Sequence, residues 1–167
     1  SLLNVGFPNK KIDDMILAKY TCIALQRVVP AQKSLQNKDS TFRISKEKEA
    51  LEKLSNCLVE YTEDPEWYPL AEQALNAVYS IASHPDVTCT DILKKKIKSV
   101  FENDEDIVMQ TEEEDVSSSN KSSKKESKTS ALSQLLFMVG HIAIKTMVLL
   151  EKCEAEFKKK KIEEETE

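Results

Sequence analysis

Two kinds of side chain in this sequence could carry out covalent chemistry: the histidines His84 and His141, and the cysteines Cys22, Cys57, Cys89 and Cys153. A lone histidine on a helix can accept a phosphoryl group, as in phosphotransfer domains, where a lysine and then a glycine occupy the following turn. In "HIAIKTM" Lys145 lies four residues after His141, but no glycine follows and Gly140 precedes it. A hydrogen-bonded structural histidine is the reading these residues favour. A thiol can act as a nucleophile when a histidine takes its proton, and Cys57 or Cys89 with His84 are the candidates. The sequence gives them no orienting third group and no glycine turn for an oxyanion hole. The cysteines are widely separated, with no C-x-x-C pair and no histidine at metal-ligand spacing. Each falls in or beside an apolar helical stretch, so all four are expected to be buried free thiols. No phosphate-cradling glycine loop is present either. The expectation is a protein without catalysis, metal or cofactor.

Binding chemistry has more candidates. Trp67 and Tyr68 follow a proline at the opening of a helix, where they either anchor a partner or pack against the preceding helix. "KKKIK" contributes Lys94, Lys95, Lys96 and Lys98, and "KKKK" contributes Lys158, Lys159, Lys160 and Lys161. Both runs could neutralise phosphates of DNA, and both could equally be solvated helix faces. Thr111 is followed by three glutamates, and Ser117, Ser118 and Ser119 follow "EEED", so these four are phosphorylation candidates that would act by added charge.

The elements that would position these groups are helices. There are two glycines in 167 residues, far fewer than a sheet protein needs for its turns. Net charge is −5 with 32% charged residues, which does not point to a dedicated nucleic-acid-binding domain. Apolar positions at spacings of three and four predict a helix from Ile12 to Val29, closed by Pro30, and another from about Ser45 to Tyr61. "EDPEWYPLAEQALNAVYSIASHPD" predicts a third, started by Asp64 and Pro65, with Leu70, Ala71, Ala74, Leu75, Val78 and Ile81 as its buried stripe. Thr88 with Asp91 reads as a capping box opening a fourth, which fades after Phe101. Paired helices of similar length are the grammar of an α-solenoid, so the fold class expected is all-α, of HEAT type. The opening "SLLNVGFP" reads as the tail of a preceding helix, as though cut from a longer chain.

Three regions are expected: helix pairs over residues 1–101, a disordered acidic and then Ser/Lys-rich insertion over 102–130, and a long helix with a charged tail over 131–167. The insertion carries eight acids and no base from Glu102 to Asp115. It has too little apolar surface to offset its ordering entropy. The long helix, "ALSQLLFMVGHIAIKTMVLLEKCEAEFKKKK", is nearly apolar enough for a bilayer, but Ser133, Gln134, His141, Lys145 and Thr146 interrupt the run. A core helix covered on nearly every side in its N-terminal half is expected instead. Burying about ten large apolar side chains contributes on the order of 20 kcal/mol, which demands a cover.

Two strings, "EDPEWYPLAEQALNAVYSIASHPD" and "LSQLLFMVGHIAIKTMVLLEKCEAEFKKKK", resemble the HEAT-repeat, non-SMC regulatory subunits of condensin. "VGHIAIK" followed by "LEKCEAEFK" is the most specific part, and "KYTCIALQRVV" is compatible. The strings cover about two fifths of the chain. The resemblance implies a scaffold without catalysis that holds the kleisin chain, lies near the SMC ATPase heads and helps the complex hold DNA. It also implies a second HEAT-repeat subunit in the same complex, a nuclear and chromosomal location with cytoplasm in interphase, and no membrane or small-molecule substrate. A peptide-binding adaptor or transport solenoid, and the paralogous HEAT subunit of the second condensin, are the alternatives.

Overall fold

A computed structural model of the chain describes residues 2–8, 12, 14–28, 40–101 and 119–165. Within those residues the fold is all helical, as composition and periodicity lead one to expect: α1 Leu2–Gly6, α2 Met15–Val28, α3 Ser40–Val59, α4 Trp67–Ile81, α5 Pro85–Phe101 and α6 Ser119–Glu165. The most extensive packing is of α2 on α4; α1 packs on α2, α3 on α4 and α5, and α6 on α4 and α5, with α4 and α5 also in contact.

Local chemistry sets the boundaries. Asp14 starts α2, its Oδ1 accepting the Leu17 N–H at 2.8 Å. Gly6 sits against Thr21 of α2, where any Cβ would run into the threonine side chain, so the close approach of α1 to α2 requires glycine. The Lys53 ammonium then donates to the Phe7 carbonyl at 3.0 Å, satisfying an acceptor at the end of α1. Asp64 acts one turn ahead of α4: its Oδ1 accepts from Glu66 N–H at 2.9 Å and its carbonyl accepts from Trp67 N–H.

Four expectations are corrected. The α5 helix begins at Pro85, so Thr88 with Asp91 is no capping box; Thr88 lies inside the helix, its hydroxyl donating to the His84 carbonyl at 3.0 Å. Proline suits that first position because its missing N–H would have had no intrahelical partner. The long helix begins at Ser119 rather than Ala131, running through a Lys/Ser tract with neither glycine nor proline to stop it. At 47 residues it is about 70 Å long. Cys22, Cys57 and Cys89 are buried free thiols, but Cys153 is exposed. Finally, α6 is not covered on nearly every side: Gln134, Leu135, Met138 and Ile142 form a single buried stripe, while Leu136 beside them is 70% exposed.

The core runs through α2, α3 and α4, whose Ala18, Leu54, Leu58, Leu70, Leu75 and Val78 are fully enclosed. Gln26 of α2 reaches Gln73 of α4, its amide donating to the backbone carbonyl at 3.2 Å and the side-chain oxygen at 3.1 Å. Glu47 of α3 accepts from both the N–H and the hydroxyl of Ser83, fixing the turn between α4 and α5.

Candidate functional site

The most concentrated chemistry lies where the end of α3, the start of α4, α5 and α6 meet. On α5, Cys89, Ile92, Lys96 and Val100 follow one another at spacings of three and four, so Lys96 falls on the buried face. Its side chain is 0% exposed. The ammonium donates to the carbonyls of Val59 and Glu60 at 3.2 and 3.4 Å and to Gln134 Oε1 at 3.0 Å. These carbonyls close α3, where the helix dipole is negative, so a cation is favoured there. Gln134 is enclosed as well, and its amide donates to the Thr62 carbonyl at 2.7 Å. The Trp67 ring lies 5.0 Å from the Lys96 nitrogen, within cation–π range. Burial nevertheless dominates and pushes the Lys96 amine down to about 8.

This junction positions α6. A second seat lies about two and three turns farther along from Gln134, where the Tyr79 hydroxyl is 3.2 Å from the Ile142 carbonyl and 2.7 Å from Thr146 Oγ1. His141 Nε2 lies 3.1 Å from Asn76 Oδ1. An amide oxygen can only accept, so that bond places the proton on Nε2 and removes its lone pair from nucleophilic use. Phe137 stacks on the ring. Burial first, and Lys145 second, hold the His141 imidazole below its ordinary value. This is the geometry of a structural histidine.

Trp67 is 1% exposed, its indole N–H donating to the Cys57 carbonyl at 3.3 Å. Tyr68 and Phe137 meet it and each other edge to face. Of the two readings for Trp67 the structure therefore displays packing, and Tyr68 is only partly accessible. Burial raises Cys89 to about 11 and Cys57 well above the ordinary thiol range, so both stay protonated at neutral pH, the wrong state for a nucleophile. Among the described residues no group of three His, Cys, Asp or Glu side chains is arranged to hold a metal ion.

The lysine candidates divide. Lys94, Lys95 and Lys98 are exposed on α5, with Lys94 3.8 Å from Asp91. Lys96 is removed from the DNA-contact set because its ammonium is enclosed. Lys158, Lys159, Lys160 and Lys161 are exposed on α6. Three of them pair along the helix, Lys158 with Glu154 at 2.6 Å, Lys159 with Glu163 at 3.8 Å and Lys161 with Glu165 at 4.0 Å. Such exposed pairs contribute about 0.3–0.5 kcal/mol each, so phosphate could compete for these lysines. Thr111, Ser117 and Ser118 lie outside the described residues, and Ser119 begins α6.

Within α6, the stretch Lys128–Glu165 includes an 18-residue window apolar enough to cross a membrane. Its buried stripe and the bonds from Lys96, Tyr79 and Asn76 commit one face of that helix to the protein instead. The rest of the helix surface presents Leu136, Ile144, Met147, Leu150 and Phe157 to solvent.

Sequence reasoning missed the role of Lys96 and its partner Gln134. The signal was available in register: Lys96 continues the Cys89, Ile92 row, and Gln134 precedes Leu135, Met138 and Ile142 on theirs.

No protein-family profile matches the chain. Curated proteins do. Condensin complex subunit 1 of Saccharomyces cerevisiae is 45% identical over 99% of this chain, and that of Schizosaccharomyces pombe 32% identical over 98%. The human protein of the same name is 29% identical over 90%. The chain spans only 13%, 14% and 11% of the lengths of these three relatives.

Proposed function

This chain is homologous to a segment of condensin complex subunit 1, and from that premise we propose that it is a non-catalytic scaffold segment of a condensin HEAT-repeat subunit. The observation that carries the reading is the similarity along nearly the whole chain. In this reading the helix pairs form part of an α-solenoid whose faces bind the kleisin chain and lie against the SMC ATPase heads. The second HEAT-repeat subunit is a further member of the assembly. DNA is engaged through the complex, and the protein works in the nucleus on chromosomes.

Two physical features support a scaffold. Among the described residues the helices pack on one another through several faces and still leave exposed helix surface on α5 and α6 for partners. The thiols that might have served catalysis are enclosed and held protonated. For DNA, Lys94, Lys95 and Lys98 form the favoured surface, since they share the solvent side of one helix.

Fluorescence anisotropy of this chain against overlapping peptides tiling the cognate kleisin tests the finer reading, once circular dichroism has verified a helical sample. Saturable binding to one segment makes these residues a kleisin-holding module. A folded sample that binds none of the peptides refutes kleisin holding by this segment and leaves contact with the SMC heads or DNA.

A further inference from the structure

The seats that hold α6 against the body are largely polar. Gln134 meets Lys96 and the Thr62 carbonyl, His141 meets Asn76, and Thr146 with the Ile142 carbonyl meets Tyr79. Among the described residues α6 adds Leu135, Met138 and Ile142 alone to the buried apolar set, from a helix of 47 residues. In α4, by contrast, eight of 15 residues are buried and all eight are apolar. Water replaces most of what a polar contact loses on separation, whereas apolar area returned to water is a net cost. The Lys96 ammonium, enclosed beneath Gln134, also regains water when α6 leaves, which favours separation. The attachment of α6 is therefore much weaker than the packing of α4 on α2 and α3.

The helix itself does not depend on the body. Residues 150–165 are all exposed and still helical, braced by the pairs Glu154–Lys158, Lys159–Glu163 and Lys161–Glu165. At 47 residues α6 is far longer than the roughly 12–15 below which an isolated helix is marginal. It can leave its seat without unfolding.

The geometry points to α6 as a detachable strap, which lifts from α4 and α5 as one helix while α2, α3 and α4 stay packed, and so uncovers the groove of Tyr79, Cys89 and Lys96. Cys89 is 1% exposed and lies against Tyr79, whose hydroxyl is tied to Thr146 of α6. The α4–α5 groove is then a regulated surface, open to another helix in the lifted state and closed in the seated one. The strap is independent of any chromosomal role.

The native cysteines supply the measurement. Cys22 on α2 and Cys57 on α3 are buried in the core that stays packed, whereas Cys89 is buried beside the Tyr79 seat of α6. Maleimide labelling of the purified full-length protein, read by mass spectrometry of the three cysteine peptides over a series of low urea concentrations, follows each opening separately. Cys89 should label at least about tenfold faster than Cys22 and Cys57, with a weaker dependence on urea because lifting exposes less surface than unfolding. Gln134→Ala acts at the far end of the seat from Cys89 and should speed Cys89 labelling about fivefold or more. Glu47→Ala frees the Ser83 turn, which stays formed when α6 lifts, and should leave the Cys89 rate unchanged. Labelling of Cys89 no faster than that of Cys22 and Cys57, with one urea dependence for all three, overturns the inference. Acceleration by Glu47→Ala with none from Gln134→Ala overturns it too, because it assigns the exposure of Cys89 to fraying of the α4–α5 turn. All of these outcomes are independent of whether kleisin, SMC chains or DNA bind.

Discussion

Replacing Lys96 by methionine keeps the length of an enclosed side chain and removes the one cation among the Val59, Glu60 and Gln134 oxygens. Two effects oppose each other. The three acceptors lose their shared donor, and a buried acceptor left unsatisfied costs about 1–3 kcal/mol, less where water can reach it. Against this, the substitution relieves the cost of enclosing a charge. That cost depends on pH in a definite direction. The Lys96 amine is pushed down from 10.5 to about 8, so between those values the unfolded chain holds a proton that the folded chain has released. Stability from this group is therefore fully present above 10.5 and is lost as pH falls through about 8. From pH 7 to pH 9 the wild-type chain gains about 1 kcal/mol from Lys96, and the methionine variant gains nothing from that position. The variant should be less stable by about 2–3 kcal/mol at pH 9 and by about 1 kcal/mol less than that at pH 7. Urea denaturation of both proteins at the two pH values measures it. Far-UV circular dichroism reports the helices, and emission of Trp67, the one tryptophan, reports the junction 5.0 Å away. Titration of the buried thiols is common to both proteins and cancels in the difference. A loss that is equal at both pH values, or larger at pH 7, refutes the argument that enclosure outweighs the acceptors and the aromatic ring.

Three further outcomes follow from the same geometry. Trp67→Ala should destabilise the chain by about 3–5 kcal/mol, seen as a lowered thermal midpoint; an unchanged melting curve with lost partner binding would return Trp67 to the surface. His141→Leu should cost about 1–2 kcal/mol at pH 7 because Asn76 loses its partner, whereas His141→Gln should cost less. Because burial lowers the His141 value, its contribution is present above 6.5 and is lost as pH falls through the folded value, so the gap between wild type and leucine variant should narrow in acid. Reversing the charges of Lys94, Lys95 and Lys98 should flatten the salt dependence of DNA binding by about 0.9 logarithmic units per phosphate contact removed, while an unchanged slope means that none of them touches phosphate.

Much of the helical framework was legible in sequence because it depends on period. Leu70, Ala71, Ala74, Leu75, Val78 and Ile81 form the buried stripe of α4 where their spacing places them, and Asp64 opens that turn as a carboxylate before a proline should. Boundaries were less legible. Thr88 has the residue type of a cap, but Pro85 was already a competent first residue, and a cap pattern does not reveal which of two starts wins. Lys96 shows a different limit. Composition marks a lysine in "KKKIK" as solvent-facing, and only the end of α3, distant in sequence, supplies the carbonyls that make its enclosure tolerable. The long helix shows a third. Its apolar content demands a cover, yet content alone does not distinguish a helix enclosed all round from one seated along a single face. Cys153 was assigned to the interior for the same reason.

Affinity purification of the full-length protein from mitotic cells, with the bound chains identified by mass spectrometry, tests the scaffold role most directly. The account predicts both SMC ATPases and the kleisin in near-stoichiometric amounts, together with the second HEAT-repeat subunit. Recovery of the intact, folded protein with transport or adaptor cargo and no SMC or kleisin chain would contradict it.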